Sequence, residues 1–253
     1  MDKFINLIMI FIGGLFLISC RNNFYMPTKH NVLPFNEKGD MIINGDVGMY
    51  ENFSLEAGYS LTNNFGLITR LNCMDISIQN NSKYLLNDYI WDNELVLYKQ
   101  IKKSLFTGLN LGIGFGLLGK YNPNYNYNLN RQYILPWLVI KNDFQTDQDK
   151  YFFKGFSVKI SRLDYNLNTQ LDISTEYDKQ VFYHYFQIED LVKNVFIIEP
   201  GITFGVNLSK IRISLQGQLV FYPLKQSNIV PVNMELSVSV YLNKLFSRKP
   251  IMK

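Results

Sequence analysis

The side chains that most readily perform chemistry are few in this chain. His30 and His184 are the only histidines, and Cys20 and Cys73 the only cysteines. His184 sits within Val181-Phe182-Tyr183-His184-Tyr185-Phe186, with Asp178, Glu176 and Ser174 a few residues upstream. A histidine with acidic and hydroxyl partners is the grouping that hydrolases and acyltransferases use for general-base chemistry. The same stretch reads more simply as an aromatic loop cluster, Phe182, Tyr183, His184, Tyr185 and Phe186, suited to docking a partner. A Walker loop, an H-E-x-x-H pair, a G-x-S-x-G elbow and a C-x-x-C pair are all missing. Gly112-x-Gly114-x-Gly116 imitates a phosphate loop, yet its strict period of two puts all three glycines on one strand face, where small residues relieve crowding. The expectation is therefore no catalytic residue, no metal, no cofactor and no enzyme, with a hydrolase or acyltransferase using His184 as one alternative.

A second group of chemically capable side chains is charged and of mixed sign: Asp46, Glu56, Arg70, Asp92, Glu94, Lys159, Glu199, Arg212 and Glu235. Paired carboxylates are one reading of such a set. The other is a network of opposite-sign pairs, Glu56–Arg70 among them, filling the interior of a barrel, because unpaired buried charge is costly.

These residues need a scaffold, and composition points to strands. Alanine, the best helix former, occurs once, at Ala57, while aromatic residues make up 15% of the 253. The net charge of +4 comes without any Lys/Arg block, which excludes an electrostatic nucleic-acid binder. Beyond residue 40 the dominant period is two. Phe53-Ser-Leu55-Glu-Ala57-Gly-Tyr59-Ser-Leu61 is apolar at every odd position, and Ile211-Arg-Ile213-Ser-Leu215-Gln-Gly217-Gln-Leu219 repeats the scheme. Ten strands are predicted, at about 40–50, 53–61, 65–78, 88–99, 104–119, 131–145, 150–163, 195–207, 210–221 and 232–243.

Alternation fits a soluble lipocalin-like barrel with a greasy interior, or an outer-membrane barrel whose apolar face meets lipid. The polar face decides between them. It carries Ser54, Gly58, Ser60, Gly112, Gly114, Gly116, Gln216, Gln218, Ser237 and Ser239, with few of the Lys and Glu of a solvated exterior. Small neutral residues suit a crowded lumen. The connections alternate short and long, which matches short periplasmic turns and longer outer loops, and an even strand count puts both chain ends in the periplasm. A ten-stranded interior is only slightly wider than one that side chains fill, so the lumen is expected to be closed. Aromatics are expected to form two interfacial girdles. Tyr50, Tyr89, Trp91, Tyr121, Tyr133, Trp137, Tyr165 and Tyr222 would make the outer one. Phe65, Tyr98, Phe106, Phe144, Tyr151, Phe152 and Phe246 would make the inner one.

Residues 1–19 read as a secretory signal: Lys3, then an apolar stretch from Phe4 to Ile18 broken by Asn6. Leu17-Ile18-Ser19-Cys20 resembles the lipobox of bacterial lipoproteins, which implies acylation of Cys20, palmitate among the acyl chains, and leaves Cys73 without a disulfide partner. Arg21-Asn22-Asn23 lacks an acidic surface-export cluster, so the lipid is expected in the periplasmic leaflet. Residues 20–39 read as a lipidated N-terminus and extended tether, 40–246 as the barrel and 247–253 as a C-terminal tail. Val240 to Phe246 resembles the C-terminal signal read by barrel-insertion machinery, although the tail follows it.

Several short stretches resemble a Bacteroidota family of outer-membrane β-barrel lipoproteins. They are Leu17–Cys20, Pro34-Phe35-Asn36-Glu37-Lys38-Gly39-Asp40, Ala57-Gly58-Tyr59-Ser60-Leu61-Thr62-Asn63-Asn64-Phe65-Gly66 and Glu199-Pro200-Gly201-Ile202-Thr203. The resemblance implies fold and location and no activity. The reading is an all-β, antiparallel, up-and-down transmembrane barrel with a side-chain-filled lumen, lipid-anchored in the outer membrane. It would be a structural or accessory subunit contacting outer-membrane lipids and an outer-membrane complex, through loops 120–130, 164–194 and 222–231. The alternatives are a periplasmic lipocalin-like lipoprotein binding a small apolar ligand, and the His184 enzyme.

Overall fold

The computed structural model describes residues 28–48, 52–78, 84–120, 126–144, 147–168, 195–221 and 232–246. Ten antiparallel strands follow one another in chain order: β1 (Met41–Gly48), β2 (Asn52–Thr62), β3 (Phe65–Ile78), β4 (Tyr84–Lys102), β5 (Leu105–Lys120), β6 (Asn126–Phe144), β7 (Asp147–Asn168), β8 (Val195–Leu208), β9 (Ile211–Leu219) and β10 (Val232–Tyr241). Each pairs with its neighbour, and β1 closes on β10 from Ile42↔Tyr241 to Gly48↔Glu235, so the sheet has no free edge. A short helix, α1 (Leu242–Phe246), follows β10.

At one end of the barrel only two residues separate consecutive strands: Asn63-Asn64, Lys103-Ser104, 145–146 and Ser209-Lys210. The other end carries the longer connections, up to 169–194 and 220–231. Three register shifts, at Ser60/Thr62, Gln100/Lys102 and Asp143/Phe144, all lie beside the short turns, where a bulge bends a strand without disturbing the long ladder.

The strand faces are chemically inverted relative to a soluble protein. Leu55, Leu71, Trp91, Phe115, Phe156, Phe204, Leu215 and Leu236 point outward and are exposed, while Asn44, Glu56, Arg70, Asp92, Lys159, Gln216 and Ser237 point inward and are buried. A continuous exposed apolar band around a polar interior has its solvent match in lipid, which is the outer-membrane arrangement. A lipocalin-like barrel would need the opposite parity, so the alternative with a greasy ligand-filled interior fails.

The expected girdles need correcting. Tyr89, Trp91, Phe152 and Phe246 lie on the outside, but Tyr98, Phe106, Tyr133, Trp137 and Tyr151 are buried in the lumen. Their strand parity decides this: Tyr98 shares a face with Asp92 and Glu94, Tyr151 with Lys159, and Trp137 with Arg131. Tyr50, Tyr121 and Tyr222 lie outside the described residues.

Candidate functional site

Among the described residues the lumen is where polar chemistry concentrates, and a stretch of chain occupies it. Thr28, Lys29, His30, Asn31, Val32, Leu33 and Phe35 are all buried inside the barrel. The tether reading is therefore corrected for 28–36: these residues form a plug. Residues 20–27, including the expected lipidation site Cys20, lie outside the described residues.

The interior changes character along the barrel axis. Near the short turns it is apolar, built from Ile42, Ile68, Val96, Tyr98, Phe106, Trp137, Val139, Tyr151 and Phe153. Towards the longer connections it is polar and charged. The plug is graded in the same sense. Val32, Leu33 and Phe35 sit in the apolar layer, and Thr28 to Asn31 in the polar one. Wall glycines make the space. A Cβ at Gly66 would lie 2.3 Å from Phe35 Cε2, one at Gly155 3.0 Å from Val32 Cγ2, and one at Gly201 2.8 Å from His30 Nδ1. Gly112 serves the wall itself: its Cβ would stand 2.0 Å from Tyr133 Cζ.

Of the nine charged residues singled out from the sequence, all are buried in the lumen. Arg70 is the hub. Its Nη2 donates to Glu56 Oε2 at 2.8 Å and to Glu94 Oε1 at 3.2 Å, Nε donates to Glu56 Oε2 at 2.9 Å, and Nη1 donates to the Lys29 carbonyl at 3.0 Å. Glu94 also accepts from Tyr133 Oη at 2.7 Å, Asn110 Nδ2 at 2.8 Å and Asn31 Nδ2 at 3.1 Å. Asp92 pairs with Arg131 and accepts from Asn72 Nδ2. Asp46 accepts from Lys29 Nζ at 3.0 Å, Ser54 Oγ at 2.6 Å and Asn44 Nδ2 at 2.8 Å. Lys159 Nζ lies 3.9 Å from Glu199 and donates to Thr28.

Two of the nine depart from an opposite-sign ladder. Arg212 donates to the Leu33 carbonyl, to Tyr151 Oη and to Asn36 Oδ1, and lies over the rings of Phe153 and Tyr241 at 5.3 Å each. No carboxylate among the described residues is within 4 Å of it, because the plug backbone supplies the acceptor instead. Glu235 takes a hydrogen bond from Asn233 Nδ2 at 2.7 Å and has no Lys, Arg or His nitrogen within 4 Å among the described residues. The loop cluster Phe182, Tyr183, His184, Tyr185 and Phe186, with Ser174, Glu176 and Asp178, lies outside the described residues.

Sequence reasoning missed Lys29, His30, Asn31, Arg131 and Lys141. Arg131 and Lys141 were findable, since Ile134, Leu138 and Ile140 mark the alternate face of the same strand as the apolar one. The plug carries no periodicity and gave no such signal. Its remaining contacts are regular nonetheless: His30 N donates to Gln216 Oε1 at 3.1 Å, His30 Nδ1 stands 2.8 Å from Ser157 Oγ, and Gln218 Nε2 donates to the Thr28 carbonyl at 3.2 Å. One void beside it, lined by Lys29, His30, Asn31, Arg212 and Ser239 among others, measures about 20 Å³, room for about one water.

No family model and no curated protein matches the chain. Among solved structures it is similar to LpxR from Salmonella typhimurium, at 10% identity over 80% of this chain and 99% of that one, with a TM-score of 0.43. It is also similar to the NanC porin, at 8% identity over 80% and 100% (TM-score 0.36), and to the KdgM porin, at 6% over 79% and 98% (TM-score 0.33). The likeness is in the fold alone. The expectation that the chain is not an enzyme is overturned: a β-barrel fold does not by itself exclude catalysis.

Proposed function

We propose that this chain is a lipid-anchored outer-membrane barrel whose lumen is sealed by its own residues 28–36, and that it acts as an accessory subunit of an outer-membrane complex. Acylation at Cys20 and the belt of outward apolar side chains give it two independent holds on the membrane. The connections 121–125, 169–194 and 220–231, shorter at 126–130 and 164–168 than the sequence suggests because β6 and β7 extend through those residues, are then the surfaces offered to a partner. The observation that carries the reading is the occupied lumen. Residues 28–35 are all buried inside a ten-stranded barrel, an interior only slightly wider than one that wall side chains alone fill, so the plug takes the space an aqueous path would need.

Planar-bilayer recording tests this. The full chain is expected to give no steady conductance, while a variant lacking residues 28–36 opens ion-conducting events. Steady conductance from the full chain would refute the sealed lumen. The anchor is tested separately with Cys20→Ala carrying a replacement signal cleavage site. Palmitate incorporation should vanish while the protein stays in urea-washed outer membranes and still shifts on gels when boiled. Recovery in the soluble periplasm would mean that acyl chains alone had held it.

A further inference from the structure

The direction in which the plug runs has a topological consequence. From Asp40, beside the short turns, the chain climbs the lumen in the reverse of sequence order. Asn36 meets Tyr151, Val32 meets the Gly155 position, His30 meets Ser157 and Thr28 meets Lys159. Eight plug residues (36 − 28) thus match eight residues of β7 (159 − 151), the rise of an extended strand. On β9 the partners advance from Arg212, at Asn36 and Leu33, through Gln216 at His30 to Gln218 at Thr28. On β1, Lys29 meets Asp46, two residues short of the strand end at Gly48. Thr28 and Lys29 therefore stand close below the long-loop rim formed by β1 and β9.

We infer that the chain enters its own barrel from the long-loop mouth, so that the segment preceding Thr28 is delivered to the outer surface and the lipid on Cys20 sits in the outer leaflet. This rests on the lipidation and orientation of the proposed function, and it replaces a periplasmic N-terminus with an external one. The C-terminal helix α1 stays at the short-turn end, where Asn243 reaches Asp40 and Lys244 reaches Glu37.

Length and volume both support the outward path. Eight residues separate Cys20 from Thr28 (28 − 20) and span roughly 26–29 Å when extended. The tallest described strand, β7, rises nine residues above Lys159 to Asn168 (168 − 159). That is about 23 Å along the axis at about 3.3 Å per residue and roughly 40° of tilt. The tether clears the rim. Returning to the short-turn end would mean descending twelve residues of β7 (159 − 147), about 30 Å on the same arithmetic. It would also need a second strand's width beside a plug that already contacts Asp46, Glu94, Ser157 and Gln216 around the wall.

Single cysteines in a Cys73→Ser background, probed with a membrane-impermeant maleimide on intact and lysed cells, test the inference. Asn23→Cys reports the segment before the plug, Asn124→Cys the long-loop side and Ser104→Cys the short-turn side. Each variant is first checked for the heat-dependent gel shift of a folded barrel. Asn23→Cys and Asn124→Cys are expected to react on intact cells, and Ser104→Cys only after lysis. If Asn23→Cys reacts only after lysis while Asn124→Cys reacts on intact cells, threading is wrong and the orientation stands. If Ser104→Cys reacts on intact cells and Asn124→Cys does not, the orientation is wrong, and surface delivery falls with it.

Discussion

Replacing Arg70 by methionine would probe the lumen network at its hub. Methionine keeps most of the side-chain length and removes every donor. Among the described residues Glu56 has only Arg70 as a side-chain partner, through bonds of 2.8 and 2.9 Å, and its own side chain is almost wholly buried. Glu94 loses one bond but keeps Tyr133, Asn110 and Asn31. The Lys29 carbonyl loses its donor as well. The perturbation therefore strands one carboxylate and one plug carbonyl in a nearly dry interior. Breaking a buried pair on one side costs about 3–5 kcal/mol. With an m-value of about 2 kcal/mol/M, the urea midpoint should fall by roughly 2 M. Adding Glu56→Leu removes the stranded charge and should restore at least ~1 kcal/mol, because an apolar replacement of both partners is far less costly than loss of one. Reversible urea unfolding in lipid vesicles, followed by tryptophan fluorescence, measures all three proteins. A loss below about 1 kcal/mol for Arg70→Met, or no recovery in the double variant, would refute the claim that the network is dry and mutually dependent.

The exterior and the wall packing give two further tests by the same assay. Leu111 faces outward between Leu95 and Ile134, six residues above the start of β5 (111 − 105), about 15 Å along the axis and near mid-membrane. Leu111→Arg should destabilise by about 2–4 kcal/mol in vesicles, and Leu111→Phe should change little; equal behaviour of the two would contradict lipid contact at this face. Gly112→Ala should cost at least ~1–3 kcal/mol, since the added carbon meets a Tyr133 ring fixed by Glu94 at 2.7 Å and flanked by Lys159 at 4.7 Å and Arg131 at 5.4 Å. Combining it with Tyr133→Leu should give a smaller loss than the two single losses added, and strict additivity would show that the glycine is not there for the ring.

The strands were legible because one chemical rule governs every one of them. In Phe53 to Leu61 or Ile211 to Leu219, a register slip of one residue would turn the whole apolar face inward, so the sequence has little freedom to blur the pattern. The same rule marks the inward charges, which stand at polar-parity positions. The girdle expectation failed where position along a strand was weighed above parity. Tyr98 lies at the membrane-boundary end of β4, but its hydroxyl reaches Ser60 at 2.8 Å and the Thr62 carbonyl at 3.0 Å on the inner side. The plug was illegible for a different reason. Its partners come from β1 through β9 together, so its binding site exists only once the barrel has closed, and no local period within 28–36 encodes it.

The lumen also fixes how deep the plug sits. Shift residues 28–36 towards the long loops by two residues, and Phe35 leaves the niche opened by Gly66 and Gly58 while Lys29 passes beyond Asp46. Shift it the other way, and Asn31 and His30 enter the aromatic layer of Tyr98, Phe106, Trp137 and Phe153, where their hydrogen bonds to Glu94 and Gln216 have no replacement. Apolar matching holds one end and charge pairing the other. The turn at Asp40, whose carboxylate accepts from the backbone N–H groups of Asn36 and Glu37 at 2.7 and 3.1 Å, ties the plug to the start of β1. Gly39, at a φ of 84°, lets the chain reverse there without strain. A segment fixed at both ends and at one depth fills the pore and sets the height at which the preceding residues leave the barrel.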